Sequence, residues 1–249
     1  MSKQIPQSIQ EKLHLLTEKE LLYFRMMWPK YGVLFITAKP GVAKSAIAKS
    51  IATKLGFEYH DIRLSMIDET DVGLYPNVSD TETETGKVKC LDFVVPRWAI
   101  EANKRPTIIH FEELNRASQQ VRNAALQILL ERQIGIDFKF NENVLMLSSG
   151  NLGDEDNCDT EEFDAALNGR LIHFKHTLSP KEWIEGFAKA NVHPMIVAYI
   201  DSHPEDLYKT VEGHAANATP RTWTFLSEFI IGNFGMESSA REFLPLVQK

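Results

Sequence analysis

The feature that most constrains this chain is a change of pattern between residues 31 and 56. The apolar run "YGVLFIT" gives way to "AKPGVAKS" and then to "SAIAKSIATKLG". In the last segment Ala48, Ile51, Ala52 and Leu55 recur at i, i+3, i+4 and i+7. A short run that is apolar throughout suits a strand covered on both faces, as in a parallel sheet. The second pattern is one stripe of an amphipathic helix, with Gly56 as its stop. A covered strand that turns directly into a helix predicts α/β layering.

The rest of the chain extends this pattern. Residues 17–28 read as a helix with Leu21, Tyr23, Phe24 and Met27 on its buried side. "FEYHDI", "PTIIHFEE", "NVLMLSSGN" and "RLIHFKH" read as further strands. Val121, Ala124, Ala125, Ile128 and Leu129 mark another amphipathic helix. Residues 66–98, with a polar tip at "SDTETETG" and the strand-like "KVKCLDFVV", fit a β-hairpin insertion. From Ser179 onward the pattern is helical. "SPKE" is a capping box with Pro180 at the first helical position, and "TPRTWTFLSEFI" starts in the same way. The expected architecture is a doubly wound α/β core over residues 1–177 and a small all-α domain over 178–249.

Composition narrows the function classes. The longest apolar runs fall short of the roughly 18 residues that a membrane helix needs, and "MSKQIPQSIQEKLHLL" lacks the layout of a signal peptide. Two cysteines, Cys90 and Cys158, do not make a disulfide framework, and a cytoplasmic setting is expected. A net charge of −7 weighs against broad binding to a phosphate backbone. The eight histidines show no zinc spacing. "GDEDNCDTEEFD", with acids from Asp154 to Asp164, reads as a solvated loop or as a docking surface for a basic partner.

The turn itself carries the chemistry. A phosphate-binding loop, G-x-x-x-x-G-K-[ST], needs inward N–H groups, a lysine for the phosphate oxygens and a hydroxyl for Mg²⁺. Lys44 and Ser45 stand in the right order after a strand and before a helix. Gly41 is left for close approach, and Pro40 stiffens the turn. Ala38 and Ala43 occupy the two glycine positions. Ala43 is expected to open the helix, where alanine is favourable. The alternative is a strand–turn–helix junction with an incidental lysine. Glu112 and Glu113 end an apolar strand at the crevice where open α/β sheets bind ligands, and paired acids there suit phosphoryl transfer; otherwise they begin a solvated loop. Arg221 falls in a helix's first turn, where a cation opposes the macrodipole unless an anion lies nearby.

At these residues the chain resembles a known family. "KPGVAKS" resembles a Walker A motif and "IIHFEELNRAS" a Walker B. "ERQIG" followed by "VLMLSSGN" is similar to a sensor 1 region, "FDAALNGRL" to an arginine-finger segment and "ATPRTW" to a sensor 2. In this order they resemble an AAA+ ATPase of the MoxR type: a P-loop NTPase core, with residues 66–98 as its helix-2 insertion, followed by a helical lid. The resemblance implies ATP and Mg²⁺ as cofactors, held by Pro40, Gly41, Val42, Ala43, Lys44, Ser45 and Ala46, with Ser45 and Glu112 on the metal. It implies Glu113 as the base that activates water, Asn151 as the residue that orients it, Arg170 as a finger reaching a neighbouring subunit's nucleotide, and Arg221 as a contact from the lid. It further implies a hexameric ring that remodels a protein partner, for which one with a von Willebrand A-type domain is the candidate. Two departures, Ala38 for glycine and Glu112 for aspartate, leave room for a nucleotide-gated switch or scaffold with weak hydrolysis. A nucleic-acid motor or loader is the third reading, against which the charge weighs.

Overall fold

A computed structural model describes residues 5–28, 32–136, 138–153, 160, 163, 165–209, 217–239 and 242. The acidic stretch from Asp154 to Asp164 lies outside them but for Thr160 and Phe163. The described chain forms two compact units. The first holds the chain up to Ala38 together with Lys44–Lys175, and the second holds Lys39–Ala43 and the chain from His176 onward.

In the first unit a short turn of helix, α1 (Gln7–Gln10), precedes α2 (Glu18–Met27). Thr17 caps α2 in a reciprocal box with Glu20. Strand β1 (Val33–Thr37), helix α3 (Lys44–Leu55) and strand β2 (Glu58–Arg63) follow. Gly56, at φ +73°, ends α3 as the pattern predicts. A hairpin of β3 (Tyr75–Thr83) and β4 (Gly86–Val94) comes next, then α4 (Arg97–Ala102) and β5 (Thr107–Glu112). Helix α5 (Gln119–Glu131), the short pair β6 (Gln133–Ile134) and β7 (Phe138–Lys139), β8 (Val144–Gly150), α6 (Ala165–Asn168) and β9 (Leu171–Lys175) complete the unit.

Five strands pair in parallel in the order β2-β5-β8-β1-β9. The chain runs from β1 to the edge at β2, returns through β5 and β8, and passes over β1 to β9. Strand β8 therefore separates β1 from β5, and the ends of β1, β8 and β5 lie side by side. Alternation along each strand divides the core. Val33, Phe35, Ile109, Phe111, Val144 and Met146 pack with α4 and α5 on one face. Leu34, Ile36, Ile108, Leu145 and Leu147 pack with α2 and α3 on the other. The residues expected on the inner sides of α3 and α5 are buried, as are Tyr23, Phe24 and Met27 of α2, with Leu21 partly covered.

The hairpin is of another character. Most of its residues are exposed, Val78 and Leu91 among them, and Ser79 donates a hydrogen bond to Asp92 across the ladder. An isolated two-stranded ribbon is marginal in water, and the root of this one leans on the core: Phe93 lies against Gly135.

In the second unit Ser179 and Glu182 form the expected capping box at α7 (Pro180–Trp183). This helix continues through a wide turn, Ile184–Ala188, into α8 (Lys189–Asn191). Helices α9 (Pro194–Ser202) and α10 (Pro220–Phe234) pack with it around Trp183, Ile184, Val192, Ile196, Ile200, Leu207 and Ile230. Asp206 ties the pieces together. Its carboxylate accepts from Tyr199 Oη at 2.5 Å and Lys209 Nζ at 2.7 Å, and its carbonyl accepts from Trp223 Nε1 at 3.0 Å. No described helix is long and apolar enough to cross a membrane.

Ile51, fully buried between α3 and the sheet, sets an expectation. Ile51→Ala should cost about 2–5 kcal/mol in urea unfolding, as large-to-small core changes do. Val88→Ala on the exposed hairpin should stay within about 0.5 kcal/mol.

Candidate nucleotide site

The first unit brings four of the sequence-derived residues together as two hydrogen-bonded pairs, Lys44 with Asn151 and Ser45 with Glu112. Lys44, the first residue of α3, donates from Nζ to the Ala38 carbonyl at 3.0 Å and to Asn151 Oδ1 at 3.0 Å. One ammonium thus joins the end of β1 to the end of β8. The next residue, Ser45, donates from Oγ to Glu112 Oε1 at the end of β5. Parallel packing in the order β5-β8-β1 is what brings these three strand ends together.

Asn151 is itself fixed. Its N–H donates to Asn115 Oδ1 at 3.2 Å, and its carbonyl accepts from Asn115 Nδ2 at 2.8 Å. The approach is so close that a methyl on Gly150 would collide with the Asn115 amide and with the Phe35 ring, 2.7 Å away. Asn115 was not among the residues singled out from the sequence. Its signal there is slight: a polar side chain between Leu114 and Ala117, both of which prove buried.

The two acids part company. Glu112 is 8% exposed, and its second oxygen lies 3.5 Å from Arg63 Nη2. Glu113 leaves β5 in the left-handed region at φ 59°. That conformation is uncommon for glutamate and is held only where the surroundings fix it. It turns the side chain toward Ser65, whose Oγ donates to Oε2, and Arg116 Nη1 lies 3.5 Å from the same oxygen.

Beneath Glu112 runs a polar line across three strands. Tyr59 Oη on β2 is 3.0 Å from His110 Nδ1 on β5, and His110 Nε2 is 2.8 Å from Ser149 Oγ on β8. Burial pushes the His110 pKa from its ordinary 6.5 down to about 3, and Lys44 adds to the shift. The ring is therefore neutral, with one nitrogen donating and the other accepting. Burial, then the Glu112 charge, pushes the Tyr59 phenol up.

The loop before Lys44 corrects one expectation. Ala43 does not open the helix; it sits at φ 62°, and α3 begins at Lys44. Gly41 is also left-handed, at φ 77°, while Val42 between them is not. Alternating backbone of this kind points successive N–H groups into one concavity, a nest that favours an anion. Helix propensity misjudged Ala43 because the turn needs positive φ there. Ala38, in contrast, is buried and lies outside the left-handed region, so the missing glycine costs the backbone nothing.

Within the second unit the loop packs on the start of α10. A methyl at Gly41 would lie 2.8 Å from Thr219 Oγ1 and 3.5 Å from Arg221 Cβ. Arg221 is exposed in the first turn of α10, which holds no acid. Arg170 is exposed in the turn before β9. Arg132 Nη2 donates to the carbonyls of Asn141 at 2.8 Å and Val144 at 2.5 Å.

No protein-family model matches the chain, and no curated protein sequence does. Solved structures do match. NtrX of Brucella abortus, solved in complex with ADP, is 14% identical over 95% of this chain and 53% of its own, with a TM-score of 0.50. The fold, a five-stranded parallel sheet flanked by helices and followed by a helical region, is similar to that of this neighbour. At this identity the likeness is one of fold alone. RuvB of Thermotoga maritima, a Holliday junction branch-migration motor, is 15% identical over 98% of this chain and 64% of its own, with a TM-score of 0.46. The chain thus spans less than two thirds of either neighbour.

The backbone of the loop and the buried His110 each set an expectation. The left-handed cost at Ala43, roughly 1–2 kcal/mol, exceeds glycine's extra backbone entropy of roughly 0.5–1 kcal/mol. Ala43→Gly is therefore expected to raise stability by up to about 1 kcal/mol in urea unfolding, and Ala38→Gly to lower it by roughly 1 kcal/mol. His110 sets a pH dependence. An unfolded chain protonates it below pH 6.5 and the folded one only near 3, so its contribution is complete above 6.5 and fades as pH falls toward 3. Urea melts should show a shallower loss of stability across that interval in His110→Gln than in the wild type.

Proposed function

We propose that this chain is an AAA+ ATPase of the MoxR type that binds ATP with Mg²⁺ and hydrolyses it. The observation that supports this best is the pair of contacts, Lys44 with Asn151 and Ser45 with Glu112, at three adjacent strand ends, directly after a loop with a nest-like backbone. The donor set suits the cofactors. An ammonium and loop N–H groups from Gly41 through Ala46 bind phosphate oxygens, with Pro40 stiffening the turn that aims them. A hydroxyl and a carboxylate are hard oxygen ligands of the kind magnesium takes when it shares its coordination with phosphates.

In this reading Lys44 leaves the Ala38 carbonyl for the β/γ-phosphates. Ser45 and Glu112 would hold the metal, which would supply charge neutralisation for the phosphate oxygens. Glu113 takes a proton from the attacking water, and Asn151, clamped by Asn115, orients that water. Arg221 reaches the nucleotide from α10. Arg170 is the finger for a neighbouring subunit's γ-phosphate, which makes hydrolysis a property of an assembled ring, hexameric by resemblance. The work done is remodelling of a protein partner, for which a von Willebrand A-type domain is the first candidate.

One observation favours the second reading, a nucleotide-gated switch: the Glu113 carboxylate is engaged by Ser65 and Arg116. The negative φ at Ala38 removes part of the motive for it. Phosphate release per chain decides between them. An enzyme should show turnover that rises with protein concentration and falls at least about a hundredfold in Glu113→Gln, with nucleotide still bound. A wild type that binds ATP without turnover at any concentration leaves only the switch. A Glu113→Gln variant that hydrolyses at the wild-type rate overturns the assignment of the base.

A further inference from the structure

The carboxylate of Glu112 is nearly buried, its side chain 10% exposed, and a charge so placed is costly unless partnered. Both of its oxygens are engaged within the chain. Oε1 accepts from Ser45 Oγ and lies 3.7 Å from Nδ1 of the neutral His110. Oε2 faces Nη2 of Arg63 at 3.5 Å. Arg63 ends β2 directly opposite Glu112 in the parallel register, so the sheet itself aims this cation at the acid. Its side chain is half exposed, with Nη1 only at a loose 3.9 Å from Met66 Sδ. The guanidinium is placed to balance the acid and is free enough at its outer side to swing away.

We propose that Arg63 is a built-in counter-cation for Glu112, and that a divalent cation arriving with nucleoside triphosphate must displace it, so that guanidinium and metal compete for one carboxylate. This rests on the reading of the site as one for Mg²⁺ and nucleotide. Arg63 is then a positioning residue: it balances and orients the Glu112 carboxylate before the metal arrives, and it sets the metal concentration at which the site loads. Arginine suits the task, because it stays charged at all relevant pH and is weakly hydrated.

The test uses the full chain, a fluorescent ATP analogue at low fixed concentration, and a Mg²⁺ titration. Removing a half-exposed ion partner of this kind should change the balance modestly. In Arg63→Gln the half-saturating Mg²⁺ is expected to fall about two- to fivefold, while Arg63→Lys stays near the wild type. Melting temperatures supply a second readout. Without metal or nucleotide Arg63→Gln should melt below the wild type, and the gap should close at saturating Mg²⁺ and nucleotide. Equal half-saturating Mg²⁺ in the wild type and Arg63→Gln overturns the competition, as does a melting deficit that persists unchanged when the site is loaded. If the wild type binds no analogue at any Mg²⁺ concentration, the reading of the site falls, and the competition falls with it.

Discussion

The ammonium of Lys44 is the contact on which the site depends. It is bonded at once to a carbonyl at the end of β1 and to an amide at the end of β8, and it can be so only because β8 runs between β1 and β5. Move β8 elsewhere in the sheet and Asn151 no longer faces the loop. Ser45, one residue on, then finds Glu112 because β5 is the next strand out. Sheet order, more than any single side chain, assembles the group.

Around that group the chain holds several features that stability alone does not favour. Ala43 and Glu113 both sit in the left-handed region, at φ 62° and 59°. Two charged or polar side chains, Glu112 and His110, are buried beside it. Strained backbone and buried ionisable groups persist where the surroundings over-determine them, and such features gather at functional sites. Here the surroundings are identifiable: Ser65 and Arg116 on one acid, Ser45 and Arg63 on the other, Tyr59 and Ser149 on the histidine. The hairpin, by contrast, is exposed along most of its length.

Much of this was legible in the residues. Continuous apolar runs marked the covered strands, and the stripes on α3 and α5 named their buried residues one by one. Ser179 and Thr219 announced their helices through capping chemistry. Lys44, Ser45 and Glu112 could be placed because the pattern that carries them is local. What could not be read is what depends on which strand lies beside which. Ser65 and Arg63 follow or end β2, and Asn115 follows β5; their partners are 48, 49 and 36 residues away. The polar line from Tyr59 through His110 to Ser149 spans three strands in the same way. Ala43 was misread for a different reason. Alanine's preference for helices is weak evidence against a turn whose geometry is imposed from both ends.

The claim that matters most is that this turn and these strand ends hold a nucleoside triphosphate. Calorimetric titration of ATP with Mg²⁺ into the full chain tests it most directly, with Lys44→Ala as the comparison. The account predicts saturable binding of one nucleotide per chain, lost in Lys44→Ala while that variant keeps the wild-type circular dichroism. Absence of saturable binding by the wild type at millimolar nucleotide, or equal binding by Lys44→Ala, would contradict it.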